Sequence, residues 1–142
     1  MARIWIICGA ILGATGVSIG AHHAHGLEKR LHEQGLSDEE VHKRMTDCET
    51  AVRYQMYHAL ALLAVGLLAA RDRHRLTDIT GVSFTLGVLG FSGGLYLIVF
   101  SGHIIHWAII PGGGLLLIVG WIFLAISGFI AGLASQGAGC EK

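Results

Sequence analysis

From Ile79 to Phe100, and again from Ile109 to Leu133, the chain runs without a single charged side chain. A helix rises about 1.5 Å per residue, so roughly 20 apolar residues match the hydrocarbon thickness of a bilayer. Lipid offers no hydrogen-bond partners to a bare backbone, so such a run must bond within itself, as a helix does. Ile4 to Ala21 is a further uncharged run, 18 residues long. Met56 to Ala70 is interrupted only by His58 and is extended toward the interface by Tyr54 and Gln55. The runs predict four membrane-crossing helices at about 4–21, 54–70, 79–100 and 109–133 in one domain over residues 1–142. The expected fold class is all-α, an integral membrane four-helix bundle.

Composition agrees. Hydrophobic residues make up 53% and charged residues 14% of the 142, against about 25% charged in average soluble domains. A soluble chain of this length has too little interior for so much apolar surface. Net charge is zero with histidine neutral, so no basic field points to nucleic acid. Cys8, Cys48 and Cys140 show none of the spacings of metal knuckles or disulfide frameworks. The first span ends in small residues, Ser18 and Gly20, as a signal peptide would, but is expected to be kept as a span. Pro111 opens the fourth span, where a missing N–H costs little.

The one sizeable polar stretch is 22–53. Ser37 followed by Glu40 is a capping-box pattern, with Asp38 and Glu39 suited to a helix N-terminus. Val41, Met45, Cys48 and Val52 then recur at helical spacing. This predicts an amphipathic interfacial helix between spans one and two, lying on the membrane surface or running into span two, with Gln34-Gly35 as the break before it. Orientation rests on basic residues. Arg3, Arg71, Arg73, Arg75 and Lys142 fall on one side, and Lys29, Arg30, Lys43, Arg44 and Arg53 on the other. The compact 71–75 turn favours both termini in the cytoplasm, the membrane being the bacterial inner membrane. Gly9/Gly13, Gly16/Gly20, Gly90/Gly94 and Gly128/Gly132 have the four-residue spacing that lets helices approach closely in lipid. They predict tight packing and homo-oligomer contacts.

Alternating spans bring His22, His23, His25, His58, His103 and His106 to one membrane face. Imidazole is the commonest metal ligand, and an all-nitrogen site suits zinc or copper. Met56 could add a thioether, and Glu28 and Glu49 could orient an imidazole. The six histidines are therefore the candidate metal ligands, at the non-cytoplasmic face. The competing readings are residues seated among headgroups, a proton relay or a haem ligand. In the stretch Arg53-Tyr54-Gln55-Met56-Tyr57-His58, Arg53 pairs with Glu49 one turn earlier, meets a lipid phosphate or snorkels at the boundary, and Tyr54 and Tyr57 suit an aromatic belt. Gly112-Gly113-Gly114 lacks the lysine of a phosphate-binding loop.

Several blocks together resemble a known family. Gly20-Ala21-His22-His23-Ala24-His25-Gly26-Leu27 is similar to a Gly-Ala-Phe-Gly-Ala-His-Gly-Leu stretch. Thr50-Ala51-Val52-Arg53-Tyr54-Gln55-Met56-Tyr57-His58-Ala59-Leu60 is a still closer match. Phe91-Ser92-Gly93-Gly94-Leu95-Tyr96, Pro111-Gly112-Gly113-Gly114 and Gly120-Trp121 follow in order. The family is domain of unknown function 423, with transmembrane protein 256 as its animal relative. The resemblance implies a four-helix inner-membrane protein with His25, Arg53, Tyr54, Gln55, Tyr57 and His58 as its polar positions, and it supplies no reaction. His22-His23 depart from the family pattern, and His103 and His106 are additional to it. The resulting expectation is a non-enzymatic membrane protein, surrounded by lipids and self-associating, with a histidine-lined copper or zinc site. The alternatives are an accessory subunit of a larger membrane complex and a small-molecule or ion transporter. The spans hold few polar groups for transport: Thr15, Ser18, His58, Ser83, Thr85, Ser92, Tyr96 and Ser127.

Overall fold

The computed structural model describes residues 2–71, 75–103 and 106–137, with side chains as far as residue 130. Arg73, Cys140 and Lys142 lie outside the described residues. So do the side-chain surroundings of Gly132 and Leu133, where only the helix backbone is described. In chain order the elements are α1 (Ala2–His22), a π-helical turn (His23–Leu27), α2 (Glu28–Glu33), α3 (Asp38–Arg71), α4 (Arg75–Ser101) and α5 (Ile109–Gly137). Among the described residues, four helices are long and apolar enough to cross a membrane: Ala2–Glu33, Asp38–Arg71, Arg75–Ser101 and Ile109–Ile130. The expected spans 4–21, 54–70 and 79–100 fall inside the first three, and the fourth, 109–133, starts with the last of them and lies within the backbone of α5.

Of the two arrangements expected for the amphipathic stretch, the structure adopts the second: 38–53 is the first half of an unbroken α3. Its start follows local chemistry. Gly35 takes φ +78°, which glycine adopts without strain, and ends the preceding helix. Ser37 Oγ then accepts the Glu40 N–H at 3.4 Å, and the Val41 N–H bonds the Ser37 carbonyl at 2.9 Å. Asp38, Glu39 and Glu40 occupy the positive end of the helix.

The 34 residues of α3 correspond to about 51 Å, and the 32 of Ala2–Glu33 to about 48 Å, well beyond a hydrocarbon core of about 30 Å. The excess forms an antiparallel neck with its own core. Leu27, Leu31, Val41 and Cys48 are buried there with Val99 from the end of α4. Arg44 joins the neck to α4, its Nη1 donating to the Val99 carbonyl at 3.3 Å while Nη2 pairs with Glu40 at 2.7 Å. A half-buried guanidinium thereby caps a carbonyl in the last turn of α4.

Within the membrane segment α3 and α4 are central. α1 packs on α3, α5 packs on α4, and both flanking helices are otherwise open. The inner core is Trp5, Leu62, Val65, Ala69, Phe84, Val88 and Leu117. Glycine makes the close approaches possible. A Cβ on Gly113 would fall 2.4 Å from the Phe91 backbone nitrogen, and one on Gly9 2.8 Å from the Ala59 carbonyl. The glycine pairs thus serve packing within the chain at Gly9, Gly16 and Gly90, whereas Gly13 and Gly128 face open space.

Two outcomes follow. Gly113→Ala is expected to force α4 and α5 apart and lower stability by about 1–3 kcal/mol, as overpacking does, whereas Gly13→Ala loses none; reversible unfolding in mixed micelles measures both. In a variant lacking Cys8, Cys48 and Cys140, cysteines placed at Ala24 and His103 should label from one compartment and a cysteine at Arg71 from the other. Labelling of 24 and 103 from opposite compartments would refute this topology.

Candidate functional site

One face of α3 carries the polar groups that tie the spans together. Gln55 is 3% exposed, facing α1 on one side and α4 on the other. Its Nε2 donates to the Leu12 carbonyl at 2.8 Å and to Thr15 Oγ1 at 2.8 Å, and its Oε1 accepts from the Tyr96 hydroxyl at 2.7 Å. Both ends of the carboxamide are therefore bonded, and three helices meet on one side chain.

His58 stands one turn further along and is also 3% exposed. Its Nδ1 lies 2.7 Å from the Tyr54 carbonyl, which can only accept, so Nδ1 carries the proton. The Trp121 indole, which can only donate, gives its N–H to His58 Nε2 at 3.1 Å. The two bonds fix one neutral tautomer. Phe84 completes the cluster, its ring centroid 5.3 Å from His58 and 5.2 Å from Trp121. Tyr54 lies against Phe91 at 4.8 Å. At the far end of the bundle, Trp5 Nε1 donates to Asp78 Oδ1 at 3.0 Å and links α1 to α4.

The histidines named from the sequence divide into two groups. His22 packs on Phe100 with centroids 6.1 Å apart, and His23 Nε2 donates to the Met45 carbonyl at 3.1 Å. His25 is exposed on the π turn. His103 and His106 are exposed in the connection after α4, where residues 102, 103 and 106 are not helical, so these two share no helical face. His106 Nδ1 accepts the Ala108 N–H at 3.4 Å. These five share the neck end of the molecule. His58 does not belong with them: thirteen residues of α3 separate it from Met45, about 20 Å of rise. With both nitrogens bonded, it has no lone pair free for a metal. Among the described residues, no three His, Cys, Asp or Glu side chains are grouped so as to hold an ion.

Of the remaining positions, Arg53 pairs with Glu49 one turn earlier, and Tyr57 is exposed on the lipid side. Met56 lies beside Gly16, packing α1 to α3. Reading the sequence for histidine chemistry passed over Trp121, Tyr96, Thr15 and Phe84. The signal available for Trp121 and Tyr96 was their place in later blocks of the same resemblance that carries Gln55 and His58, and Thr15 and Tyr96 stood among the few polar groups in the spans.

The family model described as "Protein of unknown function (DUF423)" matches residues 19–114, from the end of α1 to the first turns of α5. A UPF0382 membrane protein of Staphylococcus haemolyticus is 41% identical over 127 residues, covering 89% of this chain and 96% of that protein. One from Haemophilus influenzae is 39% identical over 121 residues, 84% of this chain and 89% of its own length. One from Bacillus subtilis is 33% identical over 127 residues, 88% and 95% respectively. No solved structure matches.

The bonded pair is testable by a double-mutant cycle on His58→Phe and Trp121→Phe. The expected coupling is about 0.6 kcal/mol, with roughly 1.7 as the upper range for hydrogen bonds between membrane helices; a coupling of zero would show that the pair does not form. Gln55→Leu strands the Tyr96 hydroxyl and should cost about 1–3 kcal/mol, read by the same unfolding measurement.

Proposed function

The chain belongs to the DUF423 family of membrane proteins, and from that premise we propose that it is a non-enzymatic assembly module of the bilayer, associating with itself or serving as an accessory subunit through the open faces of α1 and α5. The carrying observation is that polar groups buried between the spans are bonded to one another: Gln55 at both ends, both nitrogens of His58, and the Tyr96, Trp5 and Trp121 donors. An enzyme needs an acid, base or nucleophile free to meet substrate, and a carrier of charged cargo needs polar groups along a path. In this bundle those groups hold helices together instead. Among the described residues, the buried hydroxyls without a partner belong to Ser92 and Ser127, on different helices.

The flanking helices supply the surface for assembly. Ile4, Ile7 and Ile11 on α1, and Ile122, Ile126 and Phe129 on α5, are exposed, with open space at Gly13, Gly112 and Gly128 for close approach by another helix. The same reading sets both termini in the cytoplasm, supported by the arginines of the 71–75 turn.

Counting subunits by stepwise photobleaching in native membrane fragments, together with crosslinking from α1 and α5, tests the proposal. The expected outcome is more than one copy per particle, or one partner chain in fixed ratio crosslinked to the exposed positions. A chain that is single and partnerless throughout would overturn it.

A further inference from the structure

A groove opens between α3 and α5 above α4, with Tyr54 and His58 on one wall, Phe91 at its back, and Pro111, Leu115 and Trp121 on the other wall. The His58–Trp121 hydrogen bond closes its inner end, because it is the point where α5 is drawn against α3. Its outer end lies at Tyr54, next to the charged Arg53, and at Pro111 in the first turn of α5. The groove therefore starts at the interface on the neck side and runs inward. Between Pro111 and Trp121 the rise is about 15 Å, half of a hydrocarbon core of about 30 Å. Its depth is that of one leaflet.

The size narrows the occupant. A volume of about 500 Å³ is far below the roughly 2,400 Å³ of a span about 30 Å long and 10 Å across, so another helix could enter the groove only by a side chain or two. The walls are apolar apart from the Tyr54 hydroxyl, and His58 and Trp121 at the inner end are already bonded to each other, so a ligand offering donors or acceptors would find no free partner at that depth. What surrounds the opening is hydrocarbon. We propose that this groove holds one acyl chain of a phospholipid from the leaflet on the side of the α4–α5 connection, as a defined site distinct from the lipid that coats the exposed helix faces. The headgroup then stays at the interface near Tyr54, with the chain end against the His58–Trp121 pair. This site is separate from the assembly surfaces on α1 and α5, and it stands or falls independently of them.

The full chain, reconstituted in nanodiscs with a phosphatidylcholine carrying a diazirine in mid-chain, tests the site by irradiation and peptide mapping. The expected result is labelling concentrated on 54–58 and 111–121, saturating at one lipid per chain. Gly114→Leu fills the groove from its own wall. A Cβ there meets the Phe91 ring no closer than 3.6 Å, an ordinary contact, so the helices need not move. This variant should reduce groove labelling by about tenfold, whereas Gly128→Leu, in open space on the same helix, leaves it unchanged. A free fatty acid carrying the same probe should label the groove less than the phospholipid does. Three results would overturn the proposal: wild-type label spread equally over the groove and the exposed α1 residues Ile4, Ile7 and Ile11; unchanged groove label in a folded Gly114→Leu protein; or protein–protein crosslinks in place of lipid at 111–121. The first needs no variant, so a misfolded substitution cannot shield the idea.

Discussion

A carboxamide buried among helices in hydrocarbon has no water to fall back on. Leaving its donors and acceptor unbonded would cost several kcal/mol. Gln55 meets that constraint by drawing one partner pair from α1, Leu12 and Thr15, and another from α4, Tyr96. Satisfying all of them at once sets the register of both helices against α3. With Leu12 and Thr15 at the level of Gln55, Gly9 falls about one turn before Leu12 and Gly16 directly after Thr15, and they meet Ala59 and Met56, where nothing larger than glycine fits without displacement. With Tyr96 at that level, Phe91 reaches Tyr54 and Phe84 reaches His58. Apolar packing supplies area along each helix, but this one side chain decides which turns face each other.

The fourth span is held by a second polar contact whose chemistry is equally determined. An indole donates only, so Trp121 requires an acceptor, and a histidine whose Nδ1–H is given to a backbone carbonyl can offer one. The pairing is self-consistent only for uncharged imidazole, the form that hydrocarbon surroundings favour. α5 meets α4 along its length through Gly87, Gly90, Gly113 and Gly120, yet touches α3 at this level chiefly through Trp121. Contact at one level with separation above it leaves a groove. The groove is thus a consequence of how the last span is fastened.

How far this was legible from the sequence varied with the range of the interaction. The spans were legible because the bilayer excludes charge from runs such as 79–100, a condition each stretch satisfies by itself. The break at Gly35 and the cap at Ser37 were legible because left-handed backbone and N-terminal donors are local matters. The hub was not. Gln55 finds its partners 40 to 43 residues away, and nothing in its neighbourhood distinguishes a bonded glutamine from an interfacial one. His58 shows the opposite error. Grouping it with five other histidines by residue type and membrane side ignored depth, and the rise of α3 carries it about 20 Å from Met45, where His23 is bonded. Its partner is an indole on the last span, in a block noticed only as part of a resemblance.

The same geometry explains why the neck histidines do not converge. Successive residues of a helix differ by about 100° in direction, which separates His22 from His23, and the π turn that holds His23 and His25 takes His25 off the α-helical spacing that would set it on the face of His22. His22 is directed to Phe100 and His23 to Met45, while His25 is left to solvent. His103 and His106 lie beyond the Gly102 turn, at φ +69°, where α4 has already ended. For five imidazoles at one end of a bundle to share an ion, they must come from elements whose directions are fixed toward a common point. Here the fixed elements point their side chains into the neck's own contacts, and the rest ride on a connection. Proximity along the membrane normal is a weaker condition than convergence, and among the described residues no three of these side chains are grouped to hold an ion.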